Sequence, residues 1–541
     1  MGIKNDIANM FNRQWEWPPG SHKYSPLPVA AARRRSHELA PASTTWTEQG
    51  RRHAIMKLAM VGVLIVVALF SVVSYASVSD PVYTRAPKHC NINSLHRQTS
   101  ADGSCDTALH GFTCLPEISH SWGQYSPFYS VNSDISRATP KGCNVTFAQI
   151  LSRHGARDPT ASKTATYSAL IQRIHGSVTE YGKGYKFIKN YNYTLGADEL
   201  SPFGQQELVN SGIKFYKRYQ HLTKQAVPFL RSAGQNRVIE SAQNWTQGFH
   251  QSRLEDKPSD EPDAFPYPML IIPEDEGFNN TLSHANCKAF EDGPASSVKD
   301  EAQNAWLEIF APPIAEKLNQ NLPGANFTLD DTIYMMDLCP FNTVADINGR
   351  ISPFCGLFTR DEWNGYDYFQ SLGKWYGYGN GNPLGATQGV GFVNELIARL
   401  TGKAVVDQTT TNATLDSSPD TFPLDRSLYA DFSHDNDMTG VFSALGLYNA
   451  TEPLSNTTKA SPRETKGFSS SWSVPFAARM YVEKMTCADT ADEELVRVLV
   501  NDRVIPLQNC DADSLGRCKL GRFVESLSFA RAGGHWDQCF P

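Results

Sequence analysis

Two short runs of apolar and β-branched residues, 144–152 (NVTFAQILS) and 427–433 (SLYADFS), are typical of buried strands. Each run is followed at once by a histidine-containing motif, and residues 438–448 then predict a helix. Between the two runs, residues 201–222 and 391–402 have helical patterns. Strands that alternate with helices predict a parallel sheet with helices on both faces. Because ligands bind beyond the carboxyl ends of strands in such sheets, the two motifs are predicted to share one site.

A third apolar run has a different character. Residues 58–78 form a stretch of 21 residues without a charge, which is long enough to cross a bilayer as one helix. Basic residues precede this run and an acid follows it, so the N-terminus is predicted to be cytoplasmic and the rest luminal or extracellular. The alternative is a signal peptide cleaved near residue 76, with secretion of the remainder. The 57 residues before the run are too many for an ordinary signal peptide.

Composition divides the chain at this apolar run. Residues 1–57 carry a net charge of +5 and are predicted to be a disordered cytoplasmic tail, and residues 79–104 are predicted to be a polar stalk. Residues 105–541 read as one continuous globular domain. The whole chain has a net charge of −7, so the part beyond the run carries −12. An acidic domain argues against nucleic acid as a partner, whereas an anionic small molecule can bind where positive charge is concentrated in a cleft.

Cysteines and glycosylation sequons follow the same division. All eleven cysteines come after the apolar run, as do all the N-x-[ST] sequons, which fits an oxidising, glycosylating compartment. No CxxC pair is present, so zinc is a poor interpretation of the cysteines. Their odd number leaves at least one thiol free or paired with another chain. The sequons are at Asn144, Asn192, Asn244, Asn279, Asn326, Asn412, Asn449 and Asn456.

The motif after the first predicted strand, RHGARDP at residues 153–159, has the chemistry of a phosphate site. The planar guanidiniums of Arg153 and Arg157 match the geometry of phosphate oxygens. They also disfavour a proton on His154, which leaves a neutral nitrogen as a nucleophile. The alternative is a surface loop with unrelated basic residues. Five defined residue types directly after a predicted strand favour the functional interpretation.

This motif, together with DFSHDNDM at residues 431–438, resembles the histidine phosphatase superfamily, acid phosphatase branch. Further segments resemble the fungal phytases from residue 105 to the C-terminus. The resemblance implies an α/β fold: a histidine phosphatase (phosphoglycerate-mutase-like) sheet with flanking helices and an inserted, mostly α-helical domain within about residues 161–420. The segments that carry it are SHSWGQYSPFYS, YNYTLGADELSPFGQQELVNSGIKFYKRY, GYGNGNPLGATQGVGFVNELIARLTG and LGRCKLGRFVESLSFARAGG.

The resemblance also implies the roles of the site residues. His154 is expected to be the nucleophile that forms a phosphohistidine, and Asp435 to protonate the leaving alkoxide and then to activate water. No metal or other cofactor is expected. The residues expected to bind the phosphoryl group are Arg153, Arg157, Arg237 and His434. Those expected to contact the rest of the substrate are Gln124, Tyr125, Lys186, Lys189, Glu291, Asp337 and Lys374.

Two residues depart from the family pattern. Asp158 stands where the family usually has tyrosine, and its carboxylate is predicted either to pair with an arginine or to repel a polyanion. Gly373 stands where some relatives have an additional lysine, which is predicted to reduce the positive charge around the site.

The resemblance pairs ten of the cysteines. The remaining one, Cys90 in the predicted stalk, is expected either to link two chains or to be a free or capped thiol. The expected disulfides are Cys105–Cys114, Cys143–Cys487, Cys287–Cys539, Cys339–Cys355 and Cys510–Cys518.

Taken together, these features predict a membrane-anchored phosphomonoester hydrolase that acts through a phosphohistidine on inositol hexakisphosphate or other inositol polyphosphates. One alternative is a broad-specificity acid phosphatase with the same chemistry. A second alternative is a protein that binds phosphate ligands without catalysis. A third is a phosphoglycerate-mutase-like transferase, which is less compatible with a disulfide-rich setting. The oligomeric state is not predicted.

Overall fold

The structure, a computed structural model, describes residues 105–256, 265–490 and 493–540. All of these belong to one unit, Thr84–Pro541. The predicted tail, membrane helix and stalk, with Cys90, lie outside the described residues. Within the described ranges, no helix is both long enough and apolar enough to cross a membrane.

A mixed eight-stranded sheet forms the centre of the fold. Its strand order is β10-β8-β7-β3-β6-β4-β5, and β9 pairs with β8. A separate two-stranded hairpin of β1 and β2 precedes it. The strands are β1 Asp106–Thr107, β2 Gly111–Phe112, β3 Cys143–Arg153, β4 Phe229–Ala233, β5 Met269–Ile272, β6 Leu428–Ser433, β7 Arg479–Cys487, β8 Glu494–Val500, β9 Arg503–Val504 and β10 Arg517–Lys519.

Half of the sheet matches the parallel arrangement predicted from the sequence. The two predicted strands are the neighbours β3 and β6, which pair in parallel with Arg153 opposite Ser433. Strands β4 and β5 continue the parallel half. Strands β7 to β10 pair antiparallel, so the prediction of a parallel sheet is wrong for this half. The reason is local: β7 and β8 are joined by a connection too short for the crossover that parallel strands require.

Helices cover both the sheet and a second region. The α-helices are α1 Pro116–Ser119, α2 Ala161–Ser177, α3 Pro202–Arg218, α4 Gln220–Thr223, α5 Asn236–Asp256, α6 Lys288–Glu291, α7 Val298–Phe310, α8 Pro312–Asn321, α9 Leu329–Ala345, α10 Arg360–Tyr378, α11 Gly385–Gln388, α12 Val390–Thr401, α13 Ala413–Asp416, α14 Asp435–Ala444, α15 Ser470–Ser473, α16 Leu520–Ser526 and α17 Ser528–Arg531. The 3₁₀ helices are Gly123–Tyr125, Lys186–Asn190, Pro294–Ser296, Pro353–Leu357, Gln508–Cys510 and Trp536–Cys539.

Buried apolar side chains form two large cores. One surrounds the sheet and includes Ile150 of β3 and Trp245 of α5. The other lies among helices and includes Tyr167 of α2, Ile333 of α9 and Trp363 of α10. Residues from the predicted insertion build most of the helical core, but they also supply β4 and β5 to the sheet. That the insertion is a domain of its own therefore stays a prediction.

Five disulfides join the cysteine pairs that the family resemblance implied. Cys143 and Cys487 face each other on the neighbouring strands β3 and β7.

Of the sequon asparagines, Asn244 is buried on α5, and its side-chain amide donates to the carbonyl of Glu240, so it is a poor glycan acceptor. Exposed sequon asparagines are Asn144, Asn192, Asn279, Asn326, Asn449 and Asn456. Their glycosylation stays a prediction.

Candidate active site

The two histidine motifs meet at the carboxyl ends of the neighbouring strands β3 and β6. Arg153 is the last residue of β3, and His154 follows it; His434 follows β6, and Asp435 begins α14. The backbone N–H of His154 donates to the carbonyl of Ser433 at 3.1 Å. The ring centroids of His154 and His434 are 5.6 Å apart. The prediction that the distant motifs come together is confirmed.

The surroundings of His154 determine which of its ring nitrogens can react. The residue is 1% exposed, and its Nδ1 lies 2.8 Å from the carbonyl oxygen of Gly155. Because a carbonyl only accepts, Nδ1 carries the hydrogen, and the lone pair is on Nε2. Burial, followed by the charges of the neighbouring arginines, holds the pKa of His154 well below its ordinary value. The surroundings therefore favour the neutral ring, with the lone pair of Nε2 available.

Two helices hold the backbone that carries this ring. The N–H of Gly155 donates to Ser241 Oγ of α5 at 3.1 Å, and the N–H of Ala156 donates to Glu207 Oε2 of α3 at 2.8 Å. A Cβ on Gly155 would lie 2.3 Å from the carbonyl oxygen of Gly204 on α3, so this approach requires glycine. Glu207 was not predicted. Its signal in the sequence is an acid on the apolar face of an amphipathic helix.

Three guanidiniums lie close enough to His154 to lower its pKa: those of Arg153, Arg157 and Arg237. Arg153 Nη1 donates to the backbone carbonyls of Gln124 and Val474, which fixes its guanidinium. The Nε atoms of all three arginines are buried without a hydrogen-bond acceptor among the described residues. Buried unpaired donors are costly, so guanidiniums around a neutral imidazole are suited to an oxyanion.

His434 is held by a carboxylate that the sequence did not reveal. Its Nε2 lies 3.1 Å from both Oε1 and Oε2 of Glu274, which follows β5 in the chain. Burial alone would raise the pKa of Glu274, but hydrogen bonds from His434 and the Gln235 backbone lower it below its ordinary value. Glu274 therefore orients the His434 ring from a third strand end.

Asp435 lies between two cations. Its Oδ2 accepts from Lys374 Nζ at 2.6 Å and lies 3.3 Å from Arg153 Nη2. Burial alone would raise the pKa of Asp435, but these two charges outweigh it and hold the pKa well below the ordinary value. The carboxylate is therefore ionised without a ligand. We call Arg153, His154, Arg157, Arg237, His434 and Asp435 the strand-end cluster.

Residues 144–501 match the family model of the histidine phosphatase superfamily (branch 2). The chain belongs to this family. It is 54% identical over 441 residues to Phytase A of Aspergillus oryzae and 53% identical over 441 residues to Phytase A of Aspergillus fumigatus. In both comparisons, 81% of this chain and 94% of the relative are covered.

Solved structures share the fold of this histidine phosphatase. The phytase from D. castellii superposes with a TM-score of 0.63 at 22% identity, covering 83% of this chain and 92% of the other. The Bifidobacterium longum multiple inositol polyphosphate phosphatase, in complex with inositol hexasulfate, superposes with a TM-score of 0.53 at 16% identity, covering 74% and 96%. The α/β fold class predicted from the sequence is confirmed.

Four of the other residues predicted to contact substrate lie in three kinds of environment. Lys186 and Lys189, here called the lysine pair, are exposed on the 3₁₀ helix Lys186–Asn190. Lys374 is 7% exposed and contacts Asp435. Asp337 is buried in the helical core, where both of its carboxylate oxygens accept hydrogen bonds from tyrosines.

The remaining predicted residues, Gln124, Tyr125 and Glu291, are each paired with another side chain. Gln124 Nε2 donates to the side chain of Gln370 at 2.8 Å, and the Tyr125 ring lies 4.7 Å from that of Phe341. Glu291 Oε1 is 2.6 Å from Nδ1 of His284. The substrate contacts of these residues, and those of the lysine pair, Asp337 and Lys374, stay predictions.

Asp158, the first departure from the family pattern, is held against a neighbouring loop. Its carboxylate accepts a hydrogen bond from the backbone of Gly196. A Cβ on Gly196 would lie 2.4 Å from Asp158 Oδ2. Arg157 Nη1 donates to the backbone carbonyl of Asp158 at 2.7 Å, rather than to its carboxylate. The Asp158 carboxylate is thus engaged by the chain itself.

Gly373, the second departure, faces α7. A Cβ there would lie 2.6 Å from Nε2 of Gln303, whose amide donates to the carbonyl of Phe369 at 3.0 Å. A lysine at this position would have to displace Gln303 before it could reach the site.

Potential metal ligands form one close group within the described ranges. This group is Cys143, Cys487 and Asp489, and both sulfur atoms belong to a disulfide. It therefore offers no free thiolate for a metal ion.

Proposed function

We propose that this protein hydrolyses phosphate monoesters through a phosphohistidine on His154, with inositol hexakisphosphate as the preferred class of substrate. The observation that carries the proposal is the Nδ1 contact with the Gly155 carbonyl at 2.8 Å, which leaves Nε2 as the nucleophile beside three guanidiniums. Identity of 54% to a Phytase A over 81% of the chain supports the choice of substrate.

In the first step, His154 Nε2 attacks phosphorus and the bond to the leaving oxygen breaks. The electron pair of that bond goes to the alkoxide, which takes a proton from Asp435. Arg153, Arg157 and Arg237 bind the phosphoryl oxygens, where negative charge is concentrated in the transition state. Preorganised donors of this kind are commonly the largest contribution to catalysis.

In the second step, water attacks the phosphohistidine and gives its proton to Asp435. The nitrogen–phosphorus bond breaks, its electron pair returns to Nε2, and inorganic phosphate leaves. Two easier steps thus replace one difficult step.

Asp435 must gain a proton before the first step, because its pKa is well below the ordinary value in the unliganded site. A bound phosphate supplies negative charge beside Arg153, which offsets the cation that holds the carboxylate ionised. Like charges in one site raise the pKa of the weaker acid. Substrate binding therefore prepares Asp435 to act as an acid.

The proposal is tested by trapping the intermediate. Rapid denaturation at alkaline pH during turnover of ³²P-labelled substrate should yield labelled protein in the wild type and none in His154→Ala. Removing a covalent nucleophile commonly costs about 10⁴-fold or more in kcat. The exposed His110, changed to alanine, is the control and should label normally. Turnover by His154→Ala comparable to that of the wild type would refute the proposal.

The substrate class is tested with the same protein. A panel of inositol hexakisphosphate, glycerol 2-phosphate and p-nitrophenyl phosphate, run from acidic to neutral pH, should give the highest kcat/KM for the hexakisphosphate. A higher value for the aryl ester would indicate a broad-specificity acid phosphatase instead.

We further propose that residues 58–78 anchor the enzyme as a single-pass type II membrane protein. The proposal rests on the uncharged sequence of these residues, and the five disulfides support an oxidising compartment for the catalytic part. Extraction of membranes with alkaline carbonate should leave the full-length protein in the pellet. Recovery of a shortened enzyme from the medium would indicate cleavage and secretion.

A further inference from the structure

Lys374 is tied to the beginning of the helix that carries Asp435. It lies on α10 and is 7% exposed. Its Nζ donates to Asp435 Oδ2 and to Asn436 Oδ1, each at 2.6 Å. These acceptors are the first two side chains of α14. The ammonium therefore links α10 to the N-terminal turn of α14.

Lys374 and Arg153 contact the same oxygen of Asp435. Arg153 Nη2 is 3.3 Å from Oδ2, and the Arg153 guanidinium carbon is 4.6 Å from the ring centroid of Phe476. Lys374 Nζ is 5.3 Å from the ring centroid of Tyr378. Two cations on Oδ2 restrict the rotation of the carboxyl group. They also favour Oδ1 as the oxygen that carries a proton, because a proton on Oδ2 would face both positive charges.

This arrangement differs from that of a lysine that binds a substrate's outer phosphates. The lysine pair, Lys186 and Lys189, is exposed. The Lys374 ammonium is buried and already donates two of its three N–H groups to α14, so at most one N–H is left for a phosphate. Its contacts are those of a group that acts through Asp435.

We propose that Lys374 is a positioning residue for Asp435, holding its carboxyl group in line with the leaving oxygen. The inference rests on the proposed function, in which Asp435 is the acid. It assigns Lys374 to the departure of the alkoxide rather than to recognition of additional phosphates.

The other charged and titratable groups around Asp435 determine what removal of Lys374 does to it. Several elements supply them: Tyr125, Arg153, His154, Arg237, Tyr378 and Asp437. Without the ammonium, less positive charge stabilises the carboxylate, so Asp435 keeps its proton to higher pH. In Lys374→Met, the alkaline limb of the pH profile of kcat for an alkyl phosphate should then move to higher pH.

The test compares an alkyl ester, which needs an acid for its leaving group, with an aryl ester, which does not. Lys374→Met should lower kcat for glycerol 2-phosphate by about tenfold or more, since general acids contribute about 10²–10⁴-fold. For p-nitrophenyl phosphate, kcat should fall by less than about threefold, because p-nitrophenolate leaves readily without a proton. In an Asp435→Asn background, Lys374→Met should add less than about a twofold loss, because both changes affect one function.

Three results would overturn the proposal. The first is that Lys374→Met raises KM for inositol hexakisphosphate and has no effect on glycerol 2-phosphate. The others are that the losses from Lys374→Met and Asp435→Asn are independent when the two are combined, or that the alkaline limb of the pH profile of kcat does not move. Lys374→Arg restores the charge and should recover most of the alkyl-ester kcat. If the methionine variant does not fold, Lys374→Gln replaces it, and equal losses on alkyl and aryl esters in that variant would overturn the proposal. Lys519→Met, at an exposed lysine of β10, is the charge control. A wild type inactive on all three esters would instead refute the proposed function.

Discussion

In the strand-end cluster, Arg153 and His154 are 0% and 1% exposed and hydrogen-bond to neighbouring backbone, whereas Lys186 and Lys189 are exposed on a 3₁₀ helix. Both groups are predicted to contact one substrate. The first is positioned by paired strands and two supporting carboxylates, Glu207 and Glu274. The second is attached to a short helix by flexible side chains.

The difference separates two physical tasks. Bond breaking requires atoms held to within a fraction of an ångström, which only paired backbone and buried hydrogen bonds provide. Attraction of a polyanion requires charge near the entrance, and flexible exposed lysines supply it without fixed geometry. Changes in the strand-end cluster should therefore affect kcat, and changes in the lysine pair should affect KM and its dependence on salt.

The largest expected effect that distinguishes the two groups comes from Asp435→Asn. Asparagine cannot donate a carboxyl proton, so kcat/KM, which reports the steps up to the phosphohistidine, should fall by about 10²–10³-fold for glycerol 2-phosphate and by less than about tenfold for p-nitrophenyl phosphate. Steady-state kinetics with both esters measures the ratio, and Asp425→Asn, at an exposed carboxylate, is the control. Equal losses on the two esters would remove Asp435 from its role as the acid.

A smaller effect is expected from the lysine pair. Lys186→Gln combined with Lys189→Gln removes two exposed charges, each worth about 0.5 kcal/mol, so kcat/KM for inositol hexakisphosphate should fall about fivefold. Because exposed charges are screened, the loss should shrink in 0.5 M salt, with a Debye length of roughly 4 Å. Lys183→Gln, at another exposed lysine just before the 3₁₀ helix, controls for general loss of charge. A salt-independent loss would show that the pair makes fixed, desolvated contacts.

The same contrast explains what could be predicted from the sequence. Five residues of the strand-end cluster were predictable because they come shortly after two recognisable strands, which determine where their backbone lies. Arg237, on α5, was implied only by the family resemblance. Glu207 and Glu274 were not predictable, because each contacts a histidine motif that is distant from it in the chain. The antiparallel half of the sheet was also missed, because pairing direction depends on connections and not on hydrophobic pattern. Lys374 could not be distinguished from the lysine pair, because the burial of a lysine is decided by tertiary packing.

His284 contacts the predicted substrate residue Glu291 and interacts electrostatically with Asp437 on α14. Its replacement gives the smallest of the expected effects. Burial alone would lower the pKa of His284, but the charge of Asp437 on α14 and the hydrogen bond with Glu291 raise it to about 9. The folded protein thus binds a proton more tightly than the unfolded chain, whose histidines titrate near 6.5. The resulting stabilisation is fully present below pH 6.5 and is lost as the pH rises through about 9.

His284→Asn should therefore lower Tm by a few degrees at pH 5, and the difference from the wild type should shrink as the pH approaches 9. Thermal unfolding of both proteins across this range measures it. His110→Asn, at an exposed histidine, should show no such trend. A Tm difference that does not change with pH would mean that folding leaves the pKa of His284 unshifted. The charge of Asp437 and the hydrogen bond with Glu291 would then only offset the effect of burial on the pKa of His284.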